Sequence, residues 1–171
     1  FHDECRIVAV RPRDELAGRQ PRSHLRQRQV DEADGILEDA LPPDVDRNKV
    51  RIVPNGIDLE RFKPVEKKEA RRTLGWPEDS GVVLFVTVGG DPRKRLGLAR
   101  EAVAKATTDG DVVEFRTMQG IPHEQVPVWL SASDVLLLTS FHEGGVNIVK
   151  EAMACNLPVV SVDVGDVRER L

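Results

Sequence analysis

A cluster of basic side chains follows a continuous apolar stretch of the chain. Residues 82–88 read Val-Val-Leu-Phe-Val-Thr-Val, and two glycines later the sequence places Arg93, Lys94 and Arg95 side by side. Lysine offers a phosphate a compact positive charge, and arginine offers a planar pair of donors. The stretch therefore predicts a diphosphate-binding loop, with a solvent-exposed basic turn as an equally supported alternative.

Acidic residues mark a second loop. Glu143, Gly144 and Gly145 follow the apolar run 135–139, and Glu151 lies eight residues after Glu143 in a predicted helix. Glycines let the backbone approach a ligand, and the free N–H groups at a helix start favour an anion. We expect Glu143 to accept hydrogen bonds from sugar hydroxyls and Glu151 from a ribose. The acid pair alone means little, because Asp and Glu fill 29 of 171 positions; the strand, glycines and helix around it carry the prediction.

Other reactive residue types have plainer interpretations. His142 precedes Glu143, and a local hydrogen-bonding or packing role is favoured over a general base because no nucleophile lies nearby. Trp76 and Trp129 are predicted to pack rather than to stack on sugars.

The sequence has no Gly-x-Gly-x-x-Gly after a strand, no Gly-Lys-Ser/Thr loop and no His/Cys/Asp cluster. These absences argue against a dinucleotide fold, a P-loop and a metal site.

Apolar runs and helical spacings alternate along the second half of the chain. Strands are predicted at 82–88, 112–115, 135–139 and 159–162, and helices at 95–107, 123–132 and 147–155. Upstream, strands are predicted at 7–10 and 49–53 and helices at 31–41 and 66–74. This rhythm predicts an α/β, Rossmann-like parallel sheet with flanking helices. Ligands bind such sheets beyond the carboxyl ends of the strands, where both loops lie.

Composition excludes some functions and leaves others open. The formal net charge is −4, which argues against a general nucleic-acid binder. An arginine-rich stretch within residues 1–30 suits phosphates or an anionic membrane surface, but a solvated helix or arm is favoured. Cys5 and Cys155 are expected to be free thiols in a reducing cytoplasm. No apolar run is long enough to cross a bilayer and no signal peptide is evident, so we expect a cytoplasmic protein, with the inner face of the membrane as an alternative location.

The segment from Glu143 to Ser161 resembles the donor-site signature of family 4 glycosyltransferases. It has Glu, seven residues, Glu151, Ala-Met-Ala and then a Pro-Val-Val strand. The segments Val53-Pro-Asn-Gly-Ile-Asp58 and Ser133-Asp-Val135 resemble the family's entries into its donor domain and into one of its strands. The resemblance covers roughly residues 31–171 and implies one half of a GT-B fold, in which two Rossmann-like domains face a cleft.

This resemblance implies that the chain is a fragment. Residues 1–47 would be a remnant of the N-terminal acceptor domain or a linker, and residues 48–171 a donor-binding domain truncated at its C-terminus. A glycan or lipid-linked acceptor would bind through the missing domain, and peripheral membrane contact is a further expectation. Alternatives are a non-catalytic module from a degraded or split gene and a sugar-nucleotide epimerase of the same fold.

The family also implies a retaining, metal-independent transfer from a nucleoside diphosphate sugar, with UDP-sugar favoured, in polysaccharide or glycoconjugate biosynthesis. No cofactor is expected beyond this co-substrate. The catalytic residues would be Glu143, orienting the donor sugar, and Lys94, stabilising the leaving diphosphate. The donor-binding set would comprise Arg93, Lys94, Gly120, Ile121, Glu143, Gly144, Gly145, Val146, Asn147, Ile148 and Glu151. Gly120 and Ile121 would lie near the base and Glu151 at the ribose. One departure concerns an arginine that in this family usually precedes the phosphate-binding lysine. At the corresponding positions this chain has Val88-Gly-Gly90, and Arg93 is the candidate replacement.

Overall fold

The structure is a computed structural model that describes residues 7–10, 42–46, 48, 50, 56–107, 112–143, 146–165 and 167. In the first of these ranges only the backbone is described. The arginine-rich stretch and the predicted helix at 31–41 lie outside the described residues, and so does the predicted strand at 49–53 apart from Val50. The division of the chain at residue 47 stays a prediction.

Strands and helices alternate as the sequence predicts. The strands are β1 (Ile7–Val10), β2 (Gly81–Val86), β3 (Val113–Met118), β4 (Val135–Leu138) and β5 (Val159–Val162). The helices are α1 (Lys67–Leu74), α2 (Leu96–Ala106), α3 (Val126–Ala132) and α4 (Asn147–Ala154), and short 3₁₀ turns span Pro92–Lys94 and His123–Gln125. Within the described residues, no helix has the length and apolarity needed to cross a membrane.

The strands form one sheet in the order β1-β5-β4-β2-β3. Strands β2 to β5 run parallel, and β1 pairs antiparallel with β5 at the edge. The prediction of a Rossmann-like parallel sheet is confirmed, although the sequence did not indicate the antiparallel edge. After β2 the chain moves outward to β3 and then returns to β4 on the opposite side of β2. This reversal makes a topological switch point between β2 and β4, where open α/β sheets bind ligands.

Both faces of the sheet are covered, which explains the unbroken apolar runs in its strands. On one face, Leu84 and Leu136 belong to a buried cluster that includes Leu130 of α3 and Val149 of α4. On the other face, Phe85 and its neighbours pack with residues of α2. Central strands covered in this way hold the loops at their carboxyl ends in fixed positions.

Glycine and asparagine end two helices by taking left-handed backbone conformations. Gly75 closes α1 with φ 67°, and Asn156 lies just beyond α4 with φ 58°. Trp76 and Trp129 pack edge to face, with ring centroids 5.1 Å apart, so the predicted packing role of both tryptophans is confirmed. One helix differs from its prediction: the segment 123–132 begins as a 3₁₀ turn and becomes α3 only at Val126.

Candidate functional site

The loops that follow β2 and β4 meet at the switch point. The backbone N–H of Phe141 donates to the carbonyl of Arg93 over 2.9 Å. The hydroxyl of Thr139 donates to the carbonyl of Lys94 over 2.8 Å and to that of Arg95 over 3.2 Å. These bonds fasten the basic loop to the acidic loop at the backbone level, so side chains from the two loops hold a defined relation to each other.

Local sequence shapes the basic loop. Asp91 begins the 3₁₀ turn, and its carboxylate accepts from the N–H of Arg93 over 2.9 Å. Pro92 suits the first position of a helical turn because its missing N–H would have no partner there. Arg95 then takes a left-handed conformation with φ 55°, which is uncommon for a residue with a side chain. The turn holds Lys94 at the end of the loop that faces β4.

Lys94 and Glu143 form an ion pair across the switch point. The ammonium of Lys94 contacts Oε1 of Glu143, and the Ser140 hydroxyl donates to the same oxygen over 2.6 Å. The Lys94 and Glu143 side chains are 23% and 18% exposed. Both line a cavity of about 180 Å³ with Asp91, Arg93 and His142. The structure thus brings the two predicted catalytic residues together.

Arg93 is already engaged within the same cavity. Its guanidinium contacts both carboxylate oxygens of Asp91, at 2.9 to 3.1 Å. Hydrogen bonds from Arg93 lower the pKa of Asp91 below its ordinary value. The two cations of the cavity therefore face two carboxylates, so an incoming phosphate must compete with Asp91 and Glu143 for Arg93 and Lys94.

The start of α4 lies just beyond Glu143 in the chain. The helix begins at Asn147, and the preceding Val146 has no side-chain group that can cap its N–H donors. Val146 is buried and Ile148 packs against the core, whereas Asn147 is exposed. The backbone N–H groups at the start of α4 carry partial positive charge, which favours an anion. Gly144 and Gly145 lie outside the described residues.

The remaining predicted donor residues lie around the end of β3. Gly120 has φ 64° and turns the chain out of the strand, and Ile121 packs partly against the core. Glu151 of α4 contacts His123, with 3.5 Å between its Oε1 and the imidazole Nε2. The described contacts therefore form two groups, one around Lys94 and one around Glu151.

Two further observations concern metal-binding groups and a second cavity. Among the described residues, no three His, Cys, Asp or Glu side chains form a group that holds a metal. A larger cavity of about 360 Å³ lies between α2 and the sheet, lined by residues such as Val83, Val103 and Leu137. It has no charged side chain in its lining, so the smaller, charged cavity is the better candidate for a phosphate.

Sequence reasoning missed several residues of this region. Asp91 carries a recognisable signal, because an acid before proline is typical of a helical turn's start. Ser140 lies three residues before Glu143 in the same loop, but no sequence pattern singles it out. His123 carries no local signal, since its partner Glu151 becomes a neighbour only in the folded structure. His142 lines the cavity, and its predicted local role stays a prediction.

Comparison with known proteins assigns the chain to a family. Residues 69–171 match the family described as Glycosyl transferases group 1, and the chain belongs to that family. Sucrose-phosphate synthase from Thermosynechococcus elongatus is similar in structure, with a TM-score of 0.51 and 27% identity over 70% of this chain and 36% of that protein. The sheet is accordingly the Rossmann-like half of a GT-B fold, and the resemblance to glycosyltransferases is confirmed.

Individual relatives differ in what they are named for. D-inositol 3-phosphate glycosyltransferase 2 of Catenulispora acidiphila is 27% identical, covering 70% of this chain and 36% of the relative. A Bacillus subtilis glycosyltransferase named for teichuronic acid biosynthesis is 34% identical, covering 68% of this chain and 34% of the relative. The chain thus spans about a third of the length of these relatives.

Proposed function

We propose that this chain forms the donor half of a retaining glycosyltransferase that takes a nucleoside diphosphate sugar, with UDP-sugar favoured. The observation that carries the proposal is the position of Lys94 and Glu143. They face one cavity at the switch point between β2 and β4, and open α/β sheets in general bind ligands at such a point.

The diphosphate would bind to Lys94 and to the N–H groups at the start of α4. In the structure the ammonium of Lys94 contacts Glu143. A diphosphate oxygen would accept hydrogen bonds from that ammonium. Arg93 would also bind the diphosphate when its guanidinium turns away from Asp91. As the sugar leaves, negative charge grows on the diphosphate, and fixed positive charge stabilises that change without reorganisation.

The sugar would be oriented by Glu143. Lys94 and Ser140 both bind Oε1 of this carboxylate, which leaves Oε2 for a sugar hydroxyl. The backbone from Gly144 through Asn147 would complete this part of the site. The carboxylate would hold the anomeric carbon close to the acceptor on the face from which the diphosphate leaves, as retention requires, and orientation of this kind lowers the entropic part of the barrier.

The nucleoside would extend toward the end of β3. Glu151 would accept hydrogen bonds from the ribose hydroxyls, and the backbone at Gly120 and Ile121 would lie near the base. The acceptor, a glycan or lipid-linked molecule, would bind to the rest of the protein, with contact to the inner face of the membrane. The relative named for teichuronic acid biosynthesis supports a role in polysaccharide or glycoconjugate biosynthesis.

Calorimetric titration of the 171-residue chain with UDP, GDP, ADP and inorganic pyrophosphate tests the donor site. We expect binding, tightest for UDP. Lys94→Ala should weaken UDP and pyrophosphate by about tenfold or more, since a charge-assisted hydrogen bond contributes about 1.5–3 kcal/mol. Lys105→Ala is the matched control, because Lys105 is an exposed lysine on α2. Folded protein that binds none of the nucleotides would contradict the proposal.

A further inference from the structure

Three side chains from distant parts of the sequence meet in a row that ends at Glu151. Arg61 precedes α1, His123 opens the 3₁₀ turn after β3, and Glu151 lies on α4. The Nη1 atom of Arg61 is 3.0 Å from Nδ1 of His123. On the opposite side of the imidazole, Nε2 is 3.5 Å from Oε1 of Glu151. The row joins two loops to the helix that carries the proposed ribose ligand.

The contact with Arg61 decides which imidazole nitrogen carries hydrogen. A guanidinium has only donors, so Nδ1 of His123 must accept with its lone pair. The hydrogen of the neutral ring then lies on Nε2, which faces the carboxylate of Glu151. Arg61 therefore selects the Nε2–H tautomer, which places the N–H on the side of the ring that faces Glu151.

Neighbouring groups hold Arg61 and His123 in place. The carboxylate of Asp58 accepts from the backbone N–H of Glu60 over 3.0 Å and from that of Arg61 over 3.2 Å. The buried Phe62 ring packs edge-on against the imidazole, with centroids 5.4 Å apart. A surface histidine without such support would sample several rotamers, and this one has support from its flanking partners.

Burial differs sharply along the row. The side chain of Glu151 is 12% exposed, and that of His123 is 55% exposed. A nearly buried carboxylate has few orientations in which it can reach a ligand, so a donor on one side determines the direction of its remaining lone pairs. The lone pairs not directed at His123 are those available to a ligand.

We infer that His123 is a positioning residue, held in the Nε2–H tautomer by Arg61, which orients Glu151 so that it accepts from both hydroxyls of a ribose. This inference rests on the proposed function, in which Glu151 contacts the ribose. It adds a specificity determinant, because an oriented carboxylate distinguishes a ribonucleotide from one that lacks the 2′ and 3′ hydroxyls. His123 itself need not touch the donor.

Titration of UDP and 2′,3′-dideoxy-UDP tests the inference, with the ratio of their dissociation constants as the readout. The wild-type chain should prefer UDP. His123→Ala should weaken UDP by roughly fivefold, the size of one lost hydrogen bond, and leave dideoxy-UDP unchanged. His123→Gln should restore the preference, because its amide can accept from Arg61 and donate to Glu151. Gln125→Ala, an exposed neighbour on the same turn, is the matched control and should leave the ratio unchanged.

The outcomes separate the two proposals. A wild-type chain that binds UDP and dideoxy-UDP equally overturns the ribose contact of Glu151, and this inference with it. A clear wild-type preference that persists in His123→Ala, or a loss that affects both ligands equally, overturns the inference alone. Nitrogen NMR of the wild-type chain gives an independent readout should the alanine variant fail to fold. It should show the Nε2–H tautomer at His123, and a dominant Nδ1–H tautomer would overturn the inference.

Discussion

Strand β4 has an acidic residue at each end, and the two have opposite surroundings. Asp134 precedes the strand and accepts three bonds: from Lys67 at 2.6 Å, from the buried Arg71 at 2.7 Å and from the backbone N–H of Val82 at 2.7 Å. Glu143 follows the strand and accepts from two side chains, Lys94 and Ser140, at one of its oxygens.

The charged groups around Asp134 bind to one another and to the protein backbone. Arg71 donates in addition to the carbonyls of Ala132 and Glu78, so it ties α1 to α3 and to the chain before β2. The cluster around Glu143 opens onto a cavity instead. A fully satisfied cluster stabilises the fold, whereas a cluster with unused acceptor capacity beside a cavity can exchange partners with a ligand. The two acids therefore serve different purposes at the two ends of one strand.

The largest effect should come from Arg71→Met, which breaks the closed cluster. We expect a loss of about 3 kcal/mol in the free energy of unfolding, the lower end for a broken buried ion pair, because Asp134 itself is 38% exposed. Urea denaturation measures this loss. Arg72→Met alters the exposed neighbour and should change stability little. An equal loss of unfolding free energy in both variants would contradict a stabilising role of the Asp134 cluster.

Acid should weaken the Asp134 cluster next. Burial raises the pKa of Asp134, but the bonds from Lys67 and Val82 and the charge of Arg71 outweigh it, so its pKa lies below the ordinary 3.8. Its contribution to stability is present above that ordinary value and is lost as pH falls through the lower folded value. Asp134→Asn should flatten this part of the stability profile in urea denaturation across pH. The exposed Asp79→Asn is the control, and a steep acid decline that survives Asp134→Asn would argue against this origin.

A smaller effect of opposite sign is expected from Glu143→Gln. The change removes a competitor for the ammonium of Lys94, so UDP should bind about two- to fivefold more tightly, the size of a partly exposed ion pair. The unfolding free energy should stay within about 0.5 kcal/mol. Calorimetry measures the affinity, with Glu101→Gln on the exposed face of α2 as the control. Weaker UDP binding would contradict the competition between Glu143 and the diphosphate.

The smallest effect concerns Cys155, just beyond α4. Burial, and then the charge of Glu151, raise the pKa of this thiol to about 11, although a hydrogen bond with Ser131 opposes them. The thiol is therefore neutral and unreactive near pH 7. In a Cys5→Ser chain, iodoacetamide should label Cys155 slowly in native buffer and fast in urea. Stability should decline as pH rises from the ordinary value of 9.0 toward 11, because the unfolded thiol ionises first. Fast labelling of the native chain would show that α4 opens readily.

Much of the fold followed from local patterns. The apolar run at 82–88 became β2, the run at 135–139 became β4, and the helix predicted at 147–155 became α4 with nearly the same bounds. Local patterns succeed here because burial on both faces demands continuous apolar residues. The meeting of Lys94 and Glu143 was also predictable, since loops at the carboxyl ends of neighbouring parallel strands share one edge of the sheet.

By itself, the sequence determined most of the described elements, the two candidate site loops and the family, because propensity, glycine placement and motif order depend on residues that are close together in the chain. Only the tertiary structure decided which distant groups pair with the acids: Arg71 with Asp134 and His123 with Glu151. The physical reason is that an ion pair or a hydrogen bond acts only between groups within about 3 to 4 Å of each other. Residues separated by tens of positions reach that distance only after the strand order and the helix packing are set.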